Sequence, residues 1–190
     1  MIILDAGHGF DTYGKASPLW PDGSQLFEYE FNRDIVKRIH LALEQIQIKS
    51  TILVPEAIDI ALPVRCKRAN EIYKNFPDAF LVSVHGNMGG GTGWEVWTSP
   101  EETKSDKIAS VFYKIAKEHL AGFKMRSDHS DGDPDKESKF YILVNTKCPA
   151  VLTENLFYDN YSDYVFMNSD KGRAAIADLH VEAIINYLML

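Results

Sequence analysis

The chain has 190 residues, with 20 Lys and Arg against 27 Asp and Glu, and a formal charge of −7 at pH 7. That length suits one folded unit, residues 1–190, with a sizeable core. The acidic balance, with no basic block, argues against nucleic acid and anionic membrane surfaces as partners.

Met1 to Leu4 is an apolar run that ends at Asp5 and reads as a short strand. From Glu28 to Ile48 the residues Phe31, Ile35, Ile39, Leu43 and Ile46 recur at helical spacing. Thr51 to Val54 reads as a second strand, and LPVRCKRANEIYKN, with Pro63 in its first turn, as a second helix. AFLVSV, Ala79 to Val84, is apolar almost throughout and suits a strand buried on both faces. Trp94 to Thr98 alternates, as a strand nearer an edge would. Glu102 to Leu120 carries Ile108, Val111, Phe112, Ile115 and Ala116 on one helical side. The polar run RSDHSDGDPDKESK, Arg126 to Lys139, is expected to be a solvated loop on the rim of a site. Phe140 to Val144 and Ala150 to Thr153 are further strand candidates, and Lys171 to Leu188 a closing helix. Alternating strands and helices predict an α/β fold: three layers, α/β/α, around a central, mostly parallel twisted sheet.

No apolar run approaches the roughly 18 residues that a membrane-spanning helix needs. The start, MIILDAG, has neither the basic nor the apolar region of an export signal. The expectation is a protein that is cytoplasmic as synthesised, without membrane insertion. Cys66 and Cys148 lie in no metal-binding spacing and are read as two reduced, partly buried thiols, with a bridge between them as the alternative.

In parallel sheets, ligands collect where strands end at their carboxyl edge. His8 follows the first strand, His85 follows AFLVSV, Glu154 follows PAVLT, and Glu28 opens the first long helix. Two imidazoles and one carboxylate make a zinc site with room for water in the fourth position. A remaining carboxylate, Glu154, would then be a general base. A lone histidine near a strand end is more often a hydrogen-bonded structural group; four such groups on one edge are what favour a metal. Glu30 competes with Glu28, but the two lie about 200° apart around a helix and cannot face the same ion. Glu28 shares a face with Asn32 and stands nearer the turn, although either acid could simply favour the positive end of the helix dipole. His40, His119 and His180 fall within helical patterns, and His129 in the polar loop. That loop is not an EF-hand: counted from Asp128, Asp133 stands where Gly is required and Lys139 where an acid is required.

Taken in order, these segments resemble the zinc-dependent N-acetylmuramoyl-L-alanine amidase family, whose catalytic domain is called amidase 3. LDAGHG resembles the family's LDPGHGG, EYEFN its E-x-x-x-N, and SVHGN its S-[IV]-H-A-N. PAVLTENLFYDN resembles PAVLVE-x-x-F-x-x-N, and LPVRCKRAN, with Arg65 at its centre, resembles L-x-x-R-x-x-x-AN. The resemblance implies zinc held by His8, Glu28 and His85, with Glu154 catalytic. The implied reaction cleaves peptidoglycan at the amide between N-acetylmuramic acid and L-alanine. Ala6, Phe10, Gly86, Thr153 and Asn155 depart from the family's pattern without removing a ligand. The connection after Trp94–Thr98 is too short for the extra helix that blocks the site in some members. Stem peptides carry carboxylates, so Arg126, Lys139 and Lys147 are candidates to receive them. A zinc peptidase or other amidohydrolase of similar fold, or a catalytically silent wall-binding module, are the alternatives. A cytoplasmic enzyme of this kind would reach the cell wall as a lysin, after release or export.

Overall fold

The structure is a computed structural model that describes residues 1–190. Its six strands are β1 (Ile2–Ala6), β2 (Ser50–Ile52), β3 (Phe80–Asn87), β4 (Trp94–Thr98), β5 (Lys136–Glu137) and β6 (Ala150–Phe157). They form one sheet in the order β2-β1-β3-β6-β4-β5. Every neighbouring pair is parallel except β4 with β6.

The helices are α1 (Glu28–Gln45), α2 (Leu62–Asn75), α3 (Lys104–His119), α4 (Tyr141–Asn145), α5 (Tyr161–Asn168) and α6 (Asp170–Leu188). Successive strand residues point to opposite faces, and the core divides accordingly. Ile2, Leu4, Val82, Val84 and Val96 pack with α1, α3 and α6 in a cluster of 30 buried residues. Ile3, Leu81, Ala150 and Leu152 pack with Cys66 and Ala69 of α2 and Ile142 and Leu143 of α4 in a cluster of 12. This is the expected three-layer arrangement, with one thick and one thin helical layer. The thin layer matters for function, because two helices do not cover the carboxyl ends of the strands on their side. No helix is long and apolar enough to cross a membrane. Cys66 and Cys148 are both buried free thiols.

Several expectations need correction. Phe140 to Val144 is not a strand; Tyr141–Asn145 is the short helix α4. Its consecutive residues Ile142 and Leu143 are both buried in the same cluster, which a strand, with its two-residue alternation, would not allow. A five-residue apolar run carries no periodicity that separates the two outcomes. The polar loop is not wholly irregular either, since Lys136–Glu137 adds the edge strand β5 beside Trp97 and Thr98. α5, which no expectation covered, starts at Tyr161, and the side chain of its N-cap, Asn160, accepts from the backbone N–H groups of Ser162 and Asp163. Finally, β3 and β6 run further than their apolar cores: His85 and Glu154 lie inside strands, not beyond them.

Candidate metal centre

The site is assembled by sheet register. His85 of β3 pairs with Glu154 of β6, and Glu154 pairs with Glu95 of β4. Register partners share a face, so these three side chains stand in a row on the thin-layer side of the sheet. Ala6 of β1 pairs with Val84, which brings Gly7 alongside His85. A Cβ on Gly7 would lie 2.1 Å from Cε1 of that imidazole. His8 follows in the left-handed region at φ 62°, an uncommon backbone state for a residue with a side chain, and this turns its ring back over the strand ends.

Glu28, the first residue of α1, is buried beneath both rings. Its Oε1 lies 3.4 Å from His8 Nε2 and 3.2 Å from His85 Nδ1. The two imidazole centroids are 5.1 Å apart with ring planes at 89°. One donor atom from each of His8, Glu28 and His85 falls within 4.8 Å of the other two. Glu30 is exposed and accepts only from the Tyr29 hydroxyl, so the competition between the two acids is decided by burial. The other oxygen of Glu28 accepts from Tyr158 Oη at 3.0 Å and lies 3.7 Å from Lys15 Nζ. Asn32, one turn along α1, donates to the Gly7 carbonyl at 3.1 Å and ties the helix start to the turn that carries His8.

The electrostatics follow from burial and neighbours. Burial opposes ionisation of Glu28, but hydrogen bonding to His85 and electrostatic attraction to His85, His8 and Lys15 bring its carboxyl down to about 2. Burial pushes His8 down to about 4, against the pull of Glu28, so at neutral pH its imidazole has a free lone pair, as a ligand requires. Glu154 is raised well above the usual carboxylate range, first by burial and then by Glu28 and Glu95. Its Oε2 is buried without a hydrogen-bond partner. Glu95 is the opposite case. Burial acts against its charge, but Lys136 and Arg126 each donate to Oε2, at 2.8 and 2.7 Å, and hold it below its ordinary value. Asn87 donates to Glu95 Oε1 at 2.8 Å.

A cavity of about 290 Å³ opens over these groups, lined among others by His8, Lys15, Glu28, His85, Asn87 and Glu154, with Phe140 to Ile142 of the α4 segment as one wall. No residue of α3 lines it. The three cations expected to receive a substrate do not line it either. Arg126 is committed to Glu95 and stacks over Phe157 at 5.0 Å. Lys139 is exposed outside it, and Lys147 borders a separate cavity with Tyr73 and Cys148. The cation that does face the cavity is Lys15, which sequence reasoning passed over because no pattern marks a lysine in an irregular loop. Tyr158 was also missed; it follows Glu154 by four residues across an irregularity in the β3–β6 pairing, so no strand periodicity relates the two.

The donor set fits a zinc ion: two imidazoles and one carboxylate converge, one of them already ionised by its surroundings, beside an acid whose buried oxygen lacks a partner. A family model described as N-acetylmuramoyl-L-alanine amidase matches residues 2–186. The endolysin of Bacillus phage SPP1 is 29% identical over 199 aligned positions, covering 100% of this chain and 66% of that protein. The N-acetylmuramoyl-L-alanine amidase CwlM of Bacillus licheniformis is 26% identical, covering 96% of this chain and 66% of that protein. The chain therefore spans just under two thirds of the length of these relatives. Among solved structures, an N-acetylmuramoyl-L-alanine amidase from Clostridium difficile 630 superposes with a TM-score of 0.85 at 23% identity, covering 99% of this chain and 96% of that one. AmiC2 of Nostoc punctiforme gives 0.81 at 21% identity, covering 100% and 97%. At these identities the two structures establish a shared fold.

Proposed function

The chain belongs to the N-acetylmuramoyl-L-alanine amidase family, and from that premise we propose that it hydrolyses the amide between the lactyl group of N-acetylmuramic acid and L-alanine in peptidoglycan, with zinc held by His8, Glu28 and His85. The observation that carries this reading is the unpartnered Oε2 of Glu154 beside a converged His, Glu, His donor set. Bound zinc supplies Lewis acidity, polarising the amide carbonyl and activating water at neutral pH. Glu154, with no hydrogen bond to satisfy its free oxygen, takes the proton from the attacking water and delivers it to the departing alanine nitrogen. Burial, and then the neighbouring carboxylates Glu28 and Glu95, raise its proton affinity, which favours its holding the proton between the two transfers. Tyr158 and Asn32 hold Glu28 and the His8 turn in place, as supporting groups around metal ligands do. Lys15 offers the cavity a positive charge for a carboxylate of the stem peptide. Made in the cytoplasm, the protein would meet the wall after release or export.

The test is digestion of purified peptidoglycan by the zinc-loaded protein, followed by mass spectrometry of the released fragments. Stem peptides with a new L-alanine amino terminus and glycan strands with free lactyl carboxylates are expected. A new amino terminus at any other stem residue would make the protein a peptidase instead.

A further inference from the structure

On the far side of β4 from Glu154, three carboxylates meet with no ion pair among them, and the one cation that lines the adjoining cleft is Lys107. Asp106 comes from the first turn of α3, and Asp133 and Asp135 from the loop leading into β5. One oxygen of each lies within 4.8 Å of an oxygen of the other two. None of the three forms an ion pair with any Lys, Arg or His, although 13 such pairs occur elsewhere in the protein.

Two of these side chains are more than nine-tenths buried: Asp135 is 2% exposed and Asp106 is 7% exposed. Each spends one oxygen on the protein. Asp135 Oδ2 accepts from Thr98 Oγ1 at 2.6 Å, and Asp106 Oδ2 accepts from the backbone N–H of Thr103 in a capping box. The remaining oxygens, Asp135 Oδ1 and Asp106 Oδ1, are buried with no hydrogen-bond partner. A buried carboxylate oxygen left unsatisfied is costly, and two beside a third acid cost more. Burial and the two neighbouring acids push Asp135 up to about 8. The cluster borders an open cleft of about 640 Å³ whose wall also holds Glu101, Glu102, Asp131 and Glu137.

We propose that Asp106, Asp133 and Asp135 form a calcium site, separate from the His8–Glu28–His85 centre, that pins the Asp-rich loop to the start of α3. The donors are all oxygen, which suits a hard cation. They come from an irregular loop and a helix start, an arrangement that accommodates the variable coordination of calcium better than the strict octahedron of magnesium. The arrangement is not an EF-hand, since one of its three acids, Asp106, comes from the start of α3 and not from the loop.

The site also bears on the metal centre. Lys136, the residue after Asp135, pairs with Trp97 in the edge ladder and donates to Glu95, the register neighbour of Glu154. Ordering the loop would therefore hold the cation that neutralises Glu95.

The proposal is independent of the amidase reading, and its test reads binding and stability. The full chain, with the histidine site first loaded with zinc, is titrated with CaCl2 by calorimetry and melted with and without calcium. One site per chain is expected, with a rise in Tm of roughly 5–10 °C at a hundredfold excess over Kd. Magnesium should bind at least about tenfold more weakly. The double substitution Asp133→Asn with Asp135→Asn should melt no lower than wild type in calcium-free buffer, because it relieves repulsion, yet lose the calcium response. Should that variant not fold, Asp133→Asn alone, at a partly exposed position, should lower calcium affinity at least about tenfold. No heat and no Tm shift in wild type at about 10 mM calcium, above the weakest ordinary protein sites, would overturn the proposal. So would a calcium response that the substitutions leave intact, or an equal response to magnesium.

Discussion

Gly7 carries no side chain because the His85 ring occupies that space, with Cε1 2.1 Å from where a Cβ would sit. Its φ is not positive, so alanine is tolerated by the backbone there and only the collision matters. Gly7→Ala should therefore leave the fold intact but displace the His85 ring, lowering zinc affinity roughly 10–100-fold, the usual effect of disturbing the support of a metal ligand; competition against a chromogenic chelator measures it. Glu154 is not in the donor set. Glu154→Ala should keep its zinc, by elemental analysis, yet lose about two to four decades of turnover on peptidoglycan. Retained turnover in the purified variant would remove Glu154 from the reaction. His8, Glu28, His85 and Glu154 stood out in the sequence because each closes or follows an apolar run or opens a helical one, and Gly7, Gly9 and Gly86 flank the two histidines. Lys15 and Tyr158 were not, because each reaches the site from a segment without periodicity.

At the scale of elements, β6 is held to α6 by one polar contact in the thick apolar layer. His180 of α6 is fully buried, with Nδ1 donating to the Ile176 carbonyl at 2.7 Å and Nε2 accepting from Thr153 Oγ1 at 2.9 Å. Both nitrogens are satisfied by the neutral ring, and burial pushes its pKa down to about 4 from an ordinary 6.5. The unfolded chain thus binds a proton that the folded chain refuses between those values. Stability from this group is complete above about pH 6.5 and is lost as pH falls toward 4, by about 3 kcal/mol. Urea midpoints should fall over that window, and His180→Gln, which cannot titrate, should flatten the decline even if it lowers stability throughout. Helical spacing left His180 as either a surface or a hydrogen-bonded residue; that it is buried with Thr153, next to Glu154, as its partner could be seen only once β6 and α6 were packed. The α4 segment teaches the converse, since five apolar residues fit strand or helix equally until neighbouring packing selects one.

Over the whole molecule, the donor set joins three separate elements: the turn after β1, the first turn of α1, and β3. A metal bound there links them in the native state and not in the unfolded chain. Stripping zinc with a chelator should lower Tm on the order of 10 °C as well as abolish hydrolysis, and adding zinc back should restore both. Glu28→Ala should melt without any response to chelator. The amino-acid sequence alone determined the α/β class, the layering and the identity of the groups able to bind a metal, because periodicity and residue chemistry are local properties. Only the tertiary structure decided that Tyr158 reaches Glu28, that Lys15 faces the cavity in place of Arg126, Lys139 and Lys147, and that Asp106 joins the Asp-rich loop. Each of these depends on sheet register and helix docking, which bring together residues far apart in the chain, and no local pattern encodes those distances.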